Sequence, residues 1–333
     1  MPHVSVVIPL FDTERYIGAA IESVLAQTFA DFELIVIDDG SRDLGPAIAR
    51  SFGDARVRVV TQTNRGLAGA RNSGIRESRG DLVALLDADD RYTPEKLARH
   101  VAQLAAHPDL GVSFSASRLI DADGHPLGLV QRPQRPAFGA PEIFCRNPVG
   151  NGSAPVIRRS ALDAIAFPHP SQAYTCWFDE SFRQSEDIEC WLRIAATTPW
   201  RFGYVDAELT EYRITRGGLS ANTAAQLATW RRFRAKVAGY APALERAHGC
   251  RAEAYQLRYL ARRMVHGGAG GSAALAMMAS ALRLAPAMLA EEPVRTATTL
   301  AAALARAVLP APASDRLLAR AMGQASRRAG MRV

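Results

Sequence analysis

The first 115 residues alternate between runs typical of buried strands and segments with helical spacing, and this alternation constrains the fold most strongly. Apolar runs at Val4–Pro9, Phe32–Ile37 and Leu82–Leu86 each predict a strand. Between the first two, Tyr16–Leu25 repeats its apolar residues with the three-to-four spacing of an amphipathic helix. Strands that alternate with helices of this length predict a doubly wound, mostly parallel α/β sheet.

Weaker patterns complete the element order. Two further strands are predicted at Arg56–Val60 and Gly111–Ser115, and a helix at 66–78. Thr93 and Pro94 are predicted to cap and begin another helix, since proline favours the first helical position. The later predictions are irregular loops at 116–175 with a hairpin near Asp121–Gly124, a helix at Cys176–Thr197, a strand at Phe202–Val205 and helices from about 222 onward. These changes of pattern along the chain predict a domain at 1–220, with halves 1–115 and 116–220, and a helical extension at 221–333.

The net charge of +7 is carried almost wholly by arginine, because Lys96 and Lys236 are the only lysines. Two readings stay open, a biased genome composition and an anionic partner, since the guanidinium fork suits phosphate. No nucleic-acid recognition motif accompanies the charge, so no nucleic-acid partner is expected. The four cysteines lack zinc spacing. Without a signal-peptide pattern or an uncharged apolar run of 18 residues, we expect a cytoplasmic protein.

Acidic residues follow two of the predicted strands. Asp38 and Asp39 come directly after the second strand, and Asp87-Ala88-Asp89 follows the fourth. Ligands of open α/β sheets bind at the carboxyl ends of strands, which makes both clusters candidates. Neighbouring carboxylates repel unless a cation lies between them, and a divalent cation would also neutralise a diphosphate. Ordinary turns and helix caps are the alternative reading of both clusters.

Two helix starts carry further candidates. The small residues of Asn64–Gly74 open a helix where backbone N–H groups could receive phosphate, and Arg71 could pair with a diphosphate. Close packing of a helix on the sheet is the alternative. Ser185–Arg193 begins with three carboxylates, which the helix dipole alone favours. The functional alternative is a general base.

Taken together, these motifs resemble the family 2 glycosyltransferases of the GT-A fold. The resemblance spans roughly residues 3–220 and rests on five motifs besides the glycine-rich helix start. They are Val4–Pro9, Ile37–Ser41, Leu86–Asp90, Glu186-Asp187 and Tyr212-Arg213. It implies an inverting transferase that moves a single sugar from a nucleotide diphosphate, most commonly a UDP-sugar, to a glycan or lipid-linked glycan during surface polysaccharide assembly. Residues 1–115 would then bind the nucleotide and residues 116–220 the acceptor.

The resemblance also implies individual roles. The expected nucleotide-sugar contacts are Pro9, Phe11, Asp38, Asp39, Arg71, Asp87 and Ala88. Asp89 corresponds to the ligand of a divalent cation, Mn or Mg, and Asp187 to the catalytic base that deprotonates the acceptor hydroxyl. Further candidate contacts with diphosphate or acceptor are Glu186, Arg213, Arg216 and Trp177.

Two departures from the family pattern are visible. Thr215 stands where members often have a histidine after Tyr-Arg, which puts the affinity for metal in doubt. Gln226 and Trp230 match only part of the Gln-x-x-Arg-Trp motif of processive synthases, since Thr229 replaces its arginine. Transfer of one sugar is therefore favoured over polymerisation.

Partners and alternative functions remain open. The acceptor is expected to contact 147–153 and 168–178, with Trp177 as a stacking surface. The alternative is that these segments are ordinary loops and that Trp177 is a core residue. The C-terminal helices either pack, within the chain or in a homodimer, or contact a membrane surface peripherally at its inner face. A non-catalytic protein that binds nucleotide sugars is the alternative function. A nucleotidyltransferase is disfavoured because residues 9–13 lack its glycine- and lysine-containing loop.

Overall fold

The computed structural model describes residues 1–133, 138–214, 223–266, 270–310, 313–314 and 316. By their contacts, these residues divide into two compact units. The first comprises Met1–Ile143 and Asn147–Arg216, and the second comprises Phe144–Arg146 and the chain from Gly217 onward. The functional boundaries at 115 and 220 stay predictions.

The first unit is built on one mixed sheet. Its parallel half contains β1 (Val4–Leu10), β2 (Phe32–Asp38), β3 (Val57–Thr61) and β4 (Leu82–Leu85), in the spatial order β3-β2-β1-β4. Beyond β4 the order continues with β8 (Val156–Arg158), β6 (Leu110–Ile120), β11 (Arg201–Arg213) and β5 (Arg91–Tyr92). Because β8 runs antiparallel to both β4 and β6, the sheet is mostly but not wholly parallel.

Helices cover this sheet with apolar faces. They are α1 (Glu14–Leu25), α2 (Gly45–Ser51), α3 (Gly66–Glu77) and α4 (Lys96–Ala106). On α1 the residues Ile17, Ala20, Ile21 and Val24 are buried, as their spacing predicts, and they join the core formed by β1, β2 and β4. Burial of each Ile or Val side chain stabilises the folded state by about 1.5–3 kcal/mol. The apolar strands and the apolar face of α1 therefore stabilise the same core.

The glycine-rich stretch on α3 has a packing role. A Cβ atom at Gly74 would lie 2.1 Å from Cγ1 of Val7 on β1, so glycine is what lets this helix approach the sheet so closely. Close packing, one of the two readings of this stretch, is therefore confirmed for Gly74. The approach brings the neighbouring Arg71 to the strand ends.

Several predicted boundaries were wrong. Helix α4 begins at Lys96, and Thr93–Glu95 form a turn before it, because the backbone N–H of Lys96 already bonds the carbonyl of Thr93. The predicted strand Phe202–Val205 extends to Arg213, and register shifts after Val205 interrupted its pattern. The predicted helix at Cys176–Thr197 starts only at Glu186, as α7 (Glu186–Thr197).

The segment 116–175 is more ordered than predicted. Strand β6 continues to Ile120 and forms the expected hairpin with β7 (Pro126–Gln131). The remaining elements there are α5 (Ala140–Arg146), α6 (Arg159–Asp163), β9 (Phe167–Pro168) and β10 (Thr175–Cys176). Strands β9 and β10 form a separate two-stranded hairpin.

The second unit is helical, as predicted. It contains α8 (Thr223–Tyr240), α9 (Pro242–His266), α10 (Gly271–Leu284), α11 (Met288–Glu291) and α12 (Pro293–Val308). Met278 of α10 and Ala303 of α12 pack into one apolar cluster with Val265 of α9. Within the described residues, no helix combines the length and the hydropathy needed to cross a bilayer.

Candidate active site

The ends of three neighbouring strands form the candidate site. Strands β2, β1 and β4 lie side by side and parallel, so the residues that follow them meet at one edge of the sheet. Phe11 follows β1 and is 42% exposed, with the guanidinium of Arg42 5.9 Å from its ring. Pro9, on β1, and Ala88, after β4, are both buried. An exposed aromatic ring at this edge offers a stacking surface.

The carboxylates after β2 are both buried and both hydrogen-bonded. Asp39 accepts hydrogen bonds from the Gln62 amide (2.7 Å) and from the backbone N–H groups of Arg65 and Gly66 (both 2.8 Å). It therefore caps the first turn of α3. Asp38 accepts from the Ser41 N–H at 3.0 Å and from the Thr61 hydroxyl at 3.2 Å. Asp38 and Asp39 therefore form the turn and helix-cap hydrogen bonds of the alternative interpretation. A contact with a nucleotide base would use the remaining lone pairs of these carboxylates.

Arg71 links the two ends of the candidate site. Its side chain is 1% exposed and donates to Asp87 at 2.7 Å and to Glu186 at 2.8 Å. Burial acts to lower the pKa of Arg71, but the charges of Asp87, Glu186 and Asp187 outweigh burial and raise this pKa above its ordinary value. The guanidinium thus joins the turn after β4 to the first turn of α7. A direct contact with a diphosphate, as predicted, would compete with these two ion pairs.

Gly152 makes room for this arrangement. A Cβ atom at position 152 would lie 2.1 Å from Nη2 of Arg71 and 3.3 Å from Oδ2 of Asp87. Only hydrogen at this position lets the backbone pass over the ion pair. The loop 147–153, predicted to contact an acceptor, therefore also encloses Arg71.

A second network fixes the turn after β4. The Ser153 hydroxyl donates to the Asp90 carboxylate at 2.6 Å and accepts from the Asp87 N–H at 2.9 Å. The other oxygen of Asp90 accepts from the backbone N–H of Arg213 at 2.9 Å. Ser153 was predicted only as part of the acceptor loop 147–153, because nothing in its local sequence identifies its partners 66 and 63 residues away.

Arg213 has a different role from the one predicted. Its Nε donates to the carbonyl of Asp89 at 2.7 Å, and its Nη1 donates to the carbonyls of Asp121 and Ala122. The residue is 6% exposed. Its guanidinium holds the turn after β4 against the β6–β7 hairpin, so in this structure it is not directed to a diphosphate or an acceptor.

The pKa values of Asp89, Glu186 and Asp187 are raised. Burial, aided by the negative charge of Asp87, raises the pKa of Asp89 to about 6. Burial also raises the pKa of Glu186 to about 7, with Asp187 adding to the effect and Arg71 opposing it. The pKa of Asp187 is raised, mainly by burial. Among the described residues, Arg71 alone forms ion pairs with this group, so at pH values above these pKa values the cluster carries uncompensated negative charge.

This excess charge fits a bound cation. Among the described residues, no other residue donates a hydrogen bond to the Asp89 carboxylate. A carboxylate in this state is a suitable ligand for a hard divalent cation, with diphosphate oxygens and water as further ligands. The described residues hold one compact set of three acidic or histidine ligands elsewhere, Asp121, Asp123 and His125. These are exposed or half-exposed, and Asp121 already accepts the N–H groups of the turn.

Asp187 stands at the start of α7. Ser185 before it has a left-handed backbone with φ of 64°, and the carboxylate of Asp187 accepts from the N–H of Ile188 at 2.7 Å. The dipole of α7 favours negative charge here, while burial disfavours it. A carboxylate with a raised pKa is a better proton acceptor than an exposed one.

Trp177 does not have the predicted site role in the structure. Trp177 is 6% exposed, and its backbone N–H donates to Asn72, so it belongs to the core and offers no stacking surface. The core reading of this residue is confirmed. Arg216 and Thr215 lie outside the described residues.

Comparisons with known proteins agree with this fold. Residues 5–165 match the family model described as glycosyl transferase family 2. Over 199 residues the chain is 33% identical to the succinoglycan biosynthesis protein ExoO of Rhizobium meliloti, covering 56% of this chain and 54% of ExoO. It is 27% identical over 224 residues to WfgD of Escherichia coli, a UDP-Glc:α-D-GlcNAc-diphosphoundecaprenol β-1,3-glucosyltransferase, covering 66% of this chain and 80% of WfgD. The chain covers only 33% and 58% of the first two curated relatives that it matches.

Solved structures show the same fold. The chain superposes on Staphylococcus aureus TarS 1–349 in complex with UDP-GlcNAc with a TM-score of 0.58 at 18% identity, covering 89% of each chain. It superposes on the mannosyltransferase PcManGT of Pyrobaculum calidifontis, in complex with GDP-Man and Mn2+, with a TM-score of 0.58 at 20% identity. That match covers 92% of this chain and 86% of PcManGT. The fold is therefore GT-A, with C-terminal helices, and residues 5–165 are similar to glycosyl transferase family 2.

Proposed function

We propose that the chain is an inverting glycosyltransferase that transfers one sugar from a nucleotide diphosphate to a hydroxyl group. The observation that carries this proposal is the bridge made by Arg71. It joins Asp87, at the proposed donor-binding edge, to Glu186, the residue next to the proposed base Asp187. Donor-binding and proton-accepting groups thereby share one buried cluster.

The proposed donor is a UDP-sugar. Phe11 would stack on the base, Asp38 and Asp39 would contact base and ribose, and Asp87 would contact the ribose. WfgD, by its name, uses UDP-Glc, and TarS has been crystallised with UDP-GlcNAc, which supports uridine. The structure of PcManGT contains GDP-Man, so a GDP-sugar is the alternative donor that experiment must compare with a UDP-sugar.

The proposed step is a single displacement. Asp187 accepts the proton of the acceptor hydroxyl, and the oxygen forms a bond to the anomeric carbon. The bond from that carbon to the diphosphate breaks on the opposite face, which inverts the configuration. The leaving nucleoside diphosphate departs as an anion, so no carboxylic acid is required for the leaving group, in contrast to glycoside hydrolases.

We propose Asp89 as the ligand of a divalent cation, Mn or Mg. When bound, such a cation neutralises charge on the diphosphate. The raised pKa of Asp89 supports this assignment, as does the absence, within the described residues, of a hydrogen bond to its carboxylate from any other residue. The structure of PcManGT, which contains Mn2+ together with GDP-Man, supports it independently.

The proposed setting is surface polysaccharide assembly at the cytoplasmic side of a membrane. ExoO is named for succinoglycan biosynthesis, and the name of WfgD specifies a lipid-linked acceptor. The helix α12 of the second unit exposes Val294, Leu304 and Val308, whereas Thr299 on its other side is buried. Peripheral membrane contact and a homodimer are both compatible with such a face.

The alternative is a protein that binds nucleotide sugars without catalysis. A thermal-shift panel of UDP-, GDP- and dTDP-sugars, with and without Mn2+, identifies the donor, since a ligand that binds the folded state raises its apparent stability. Release of nucleoside diphosphate from that donor then separates the two functions. Binding without release, with any acceptor tested, would support the non-catalytic alternative. No shift with any nucleotide sugar would contradict both.

A further inference from the structure

A cavity of about 610 Å3 lies beside the β9–β10 hairpin, outside the set of residues assigned to the donor. The hairpin contributes one side, including Phe167, His169 and Tyr174. Glu180 and Arg65 contribute another. This volume is within the range of pockets that bind small ligands, about 300–1,000 Å3.

The charged groups of the cavity wall are already paired. Arg65 donates to Glu180 through Nη2 at 2.5 Å and through Nε at 3.3 Å. Burial acts to raise the pKa of Glu180, but hydrogen bonds from Asn72 and Arg65 outweigh burial and hold this pKa below its ordinary value. Arg76 does not line the cavity but lies 4.4 Å from the Tyr174 ring, and it donates to the carbonyl of Thr175 and the hydroxyl of Ser73. The wall therefore offers no unpaired guanidinium for a phosphate.

Besides the acidic Asp179, the other lining groups include aromatic rings and neutral polar side chains. The rings of His169 and Tyr174 lie 4.8 Å apart, centroid to centroid. The Tyr174 hydroxyl donates to Glu180 at 3.3 Å. Gln172 and Ser171 are exposed at the tip of the hairpin. Aromatic rings with a few amides and hydroxyls suit a polyol, which presents an apolar face and many hydroxyl groups.

The cavity wall is tied directly to the candidate active site. The backbone N–H of Arg65 donates to Asp39, at the proposed nucleotide end. Asn72 donates to Glu180 at 2.9 Å and follows Arg71 on α3. Glu180 also precedes α7, which carries Asp187, on the same chain segment. A ligand in the cavity would thus adjoin the elements that hold both the donor and the base.

We propose that this cavity binds a neutral sugar unit of the acceptor glycan. The proposal rests on the proposed transferase function. It replaces Trp177, which is buried, with His169 as the aromatic contact of the acceptor, within the segment 168–178. The Tyr174 ring is already in contact with the guanidinium groups of Arg65 and Arg76, each 4.4 Å from its centroid. Gln172 donates or accepts hydrogen bonds with sugar hydroxyls in this arrangement.

Saturation-transfer NMR with UDP-saturated protein tests the proposal. The probes are the methyl glycosides of glucose, galactose, mannose and N-acetylglucosamine. At least one glycoside is expected to bind the natural protein. His169→Ala and Gln172→Ala should each weaken that binding about threefold to tenfold, the effect of one lost ring contact for His169 and of one lost hydrogen bond for Gln172. Ser171→Trp should block it by filling the cavity.

His125→Ala is the matched control, because His125 is an exposed histidine of the β6–β7 turn and should leave glycoside binding unchanged. The thermal shift caused by UDP verifies in each variant that the fold and the nucleotide site are intact. Absence of binding by all four glycosides, or equal binding by His169→Ala, Gln172→Ala and the natural protein, would overturn the proposal. Loss of the UDP shift in the natural protein would instead contradict the proposed donor.

Discussion

Arg71 on α3 donates a hydrogen bond of 2.8 Å to Glu186 in the first turn of α7, 115 residues later in the chain. The same guanidinium donates to Asp87 at 2.7 Å. These two contacts make Arg71 a positioning residue for groups at both ends of the site. Its burial also means that each ion pair is shielded from water and salt, unlike the many exposed pairs of this protein.

Replacing Arg71 is expected to impair both stability and activity. Arg71→Met leaves the buried carboxylate of Glu186 and the half-buried carboxylate of Asp87 unpaired, which costs about 3–5 kcal/mol of unfolding free energy. Arg71→Lys keeps the charge but not the fork that reaches both partners, and a shift of about 1 Å in a positioned group lowers rates about 100-fold. Denaturant unfolding and the rate of nucleotide release measure the two effects.

Arg15→Lys is the control for Arg71→Lys, because Arg15 forms an exposed ion pair with Asp123. It should change neither quantity appreciably. An Arg71→Lys variant with the activity and stability of the natural protein would show that the bridge does not position the site.

Gly152→Ala tests whether position 152 must lack a side chain for Arg71 to lie beside it. The added methyl group would contact Nη2 of Arg71, so we expect a loss of about 1–3 kcal/mol in stability and a decrease in nucleotide release. Gly53→Ala is matched to it, since a Cβ atom at Gly53 has no neighbour within 4 Å. Equal effects of the two substitutions in thermal unfolding would contradict the close approach at Gly152.

The raised pKa of Glu186 predicts a pH dependence of stability. In the folded state Glu186 binds its proton up to pH about 7, whereas the unfolded group has a pKa of 4.5. Between these values the folded state holds more protons, so the unfolding free energy should fall as pH rises from 4.5 to 7. Glu186→Gln should flatten this part of the profile. Measurements without metal or nucleotide, at several pH values, check the prediction, and an unchanged slope in Glu186→Gln would contradict it.

Asp89→Asn separates the two places where a metal ion could bind. If Asp89 is the ligand, this substitution should abolish the additional thermal shift that Mn2+ produces in the presence of UDP. Asp121→Asn, at the exposed cluster of the β6–β7 turn, should leave that shift intact. The reverse pattern would assign the metal effect to the turn.

Sequence patterns predicted the parts of this fold whose information is local. The strands β1, β2 and β4 and the helix α1 were found because burial on the sheet imposes an apolar spacing on each segment. The extent of β11 was missed because register shifts after Val205 break the alternation of its residues.

For the candidate site too, sequence patterns predicted the features that depend on neighbouring residues and missed those that depend on distant ones. Asp39 and Asp87 were found because acidic residues follow apolar strands, a pattern visible within a few positions. The partners of Arg71, Arg213 and Ser153 were not, because each lies many residues away and only the folded sheet brings it close. The sequence allowed Trp177 to be either a core or a surface residue, and its low exposure in the structure places it in the core.

The central claim is that Asp187 is the base of a glycosyl transfer. Its most direct test compares Asp187→Asn with the natural protein in two quantities, the rate of nucleotide release and the dissociation constant of the donor. Removal of a general base lowers the rate about 100-fold to 10,000-fold, and the donor should bind nearly unchanged. Asp163→Asn, at the exposed end of α6, is the control and should leave both unchanged. Equal loss of rate and of donor affinity in Asp187→Asn, or a rate like that of the natural protein, would contradict the assignment.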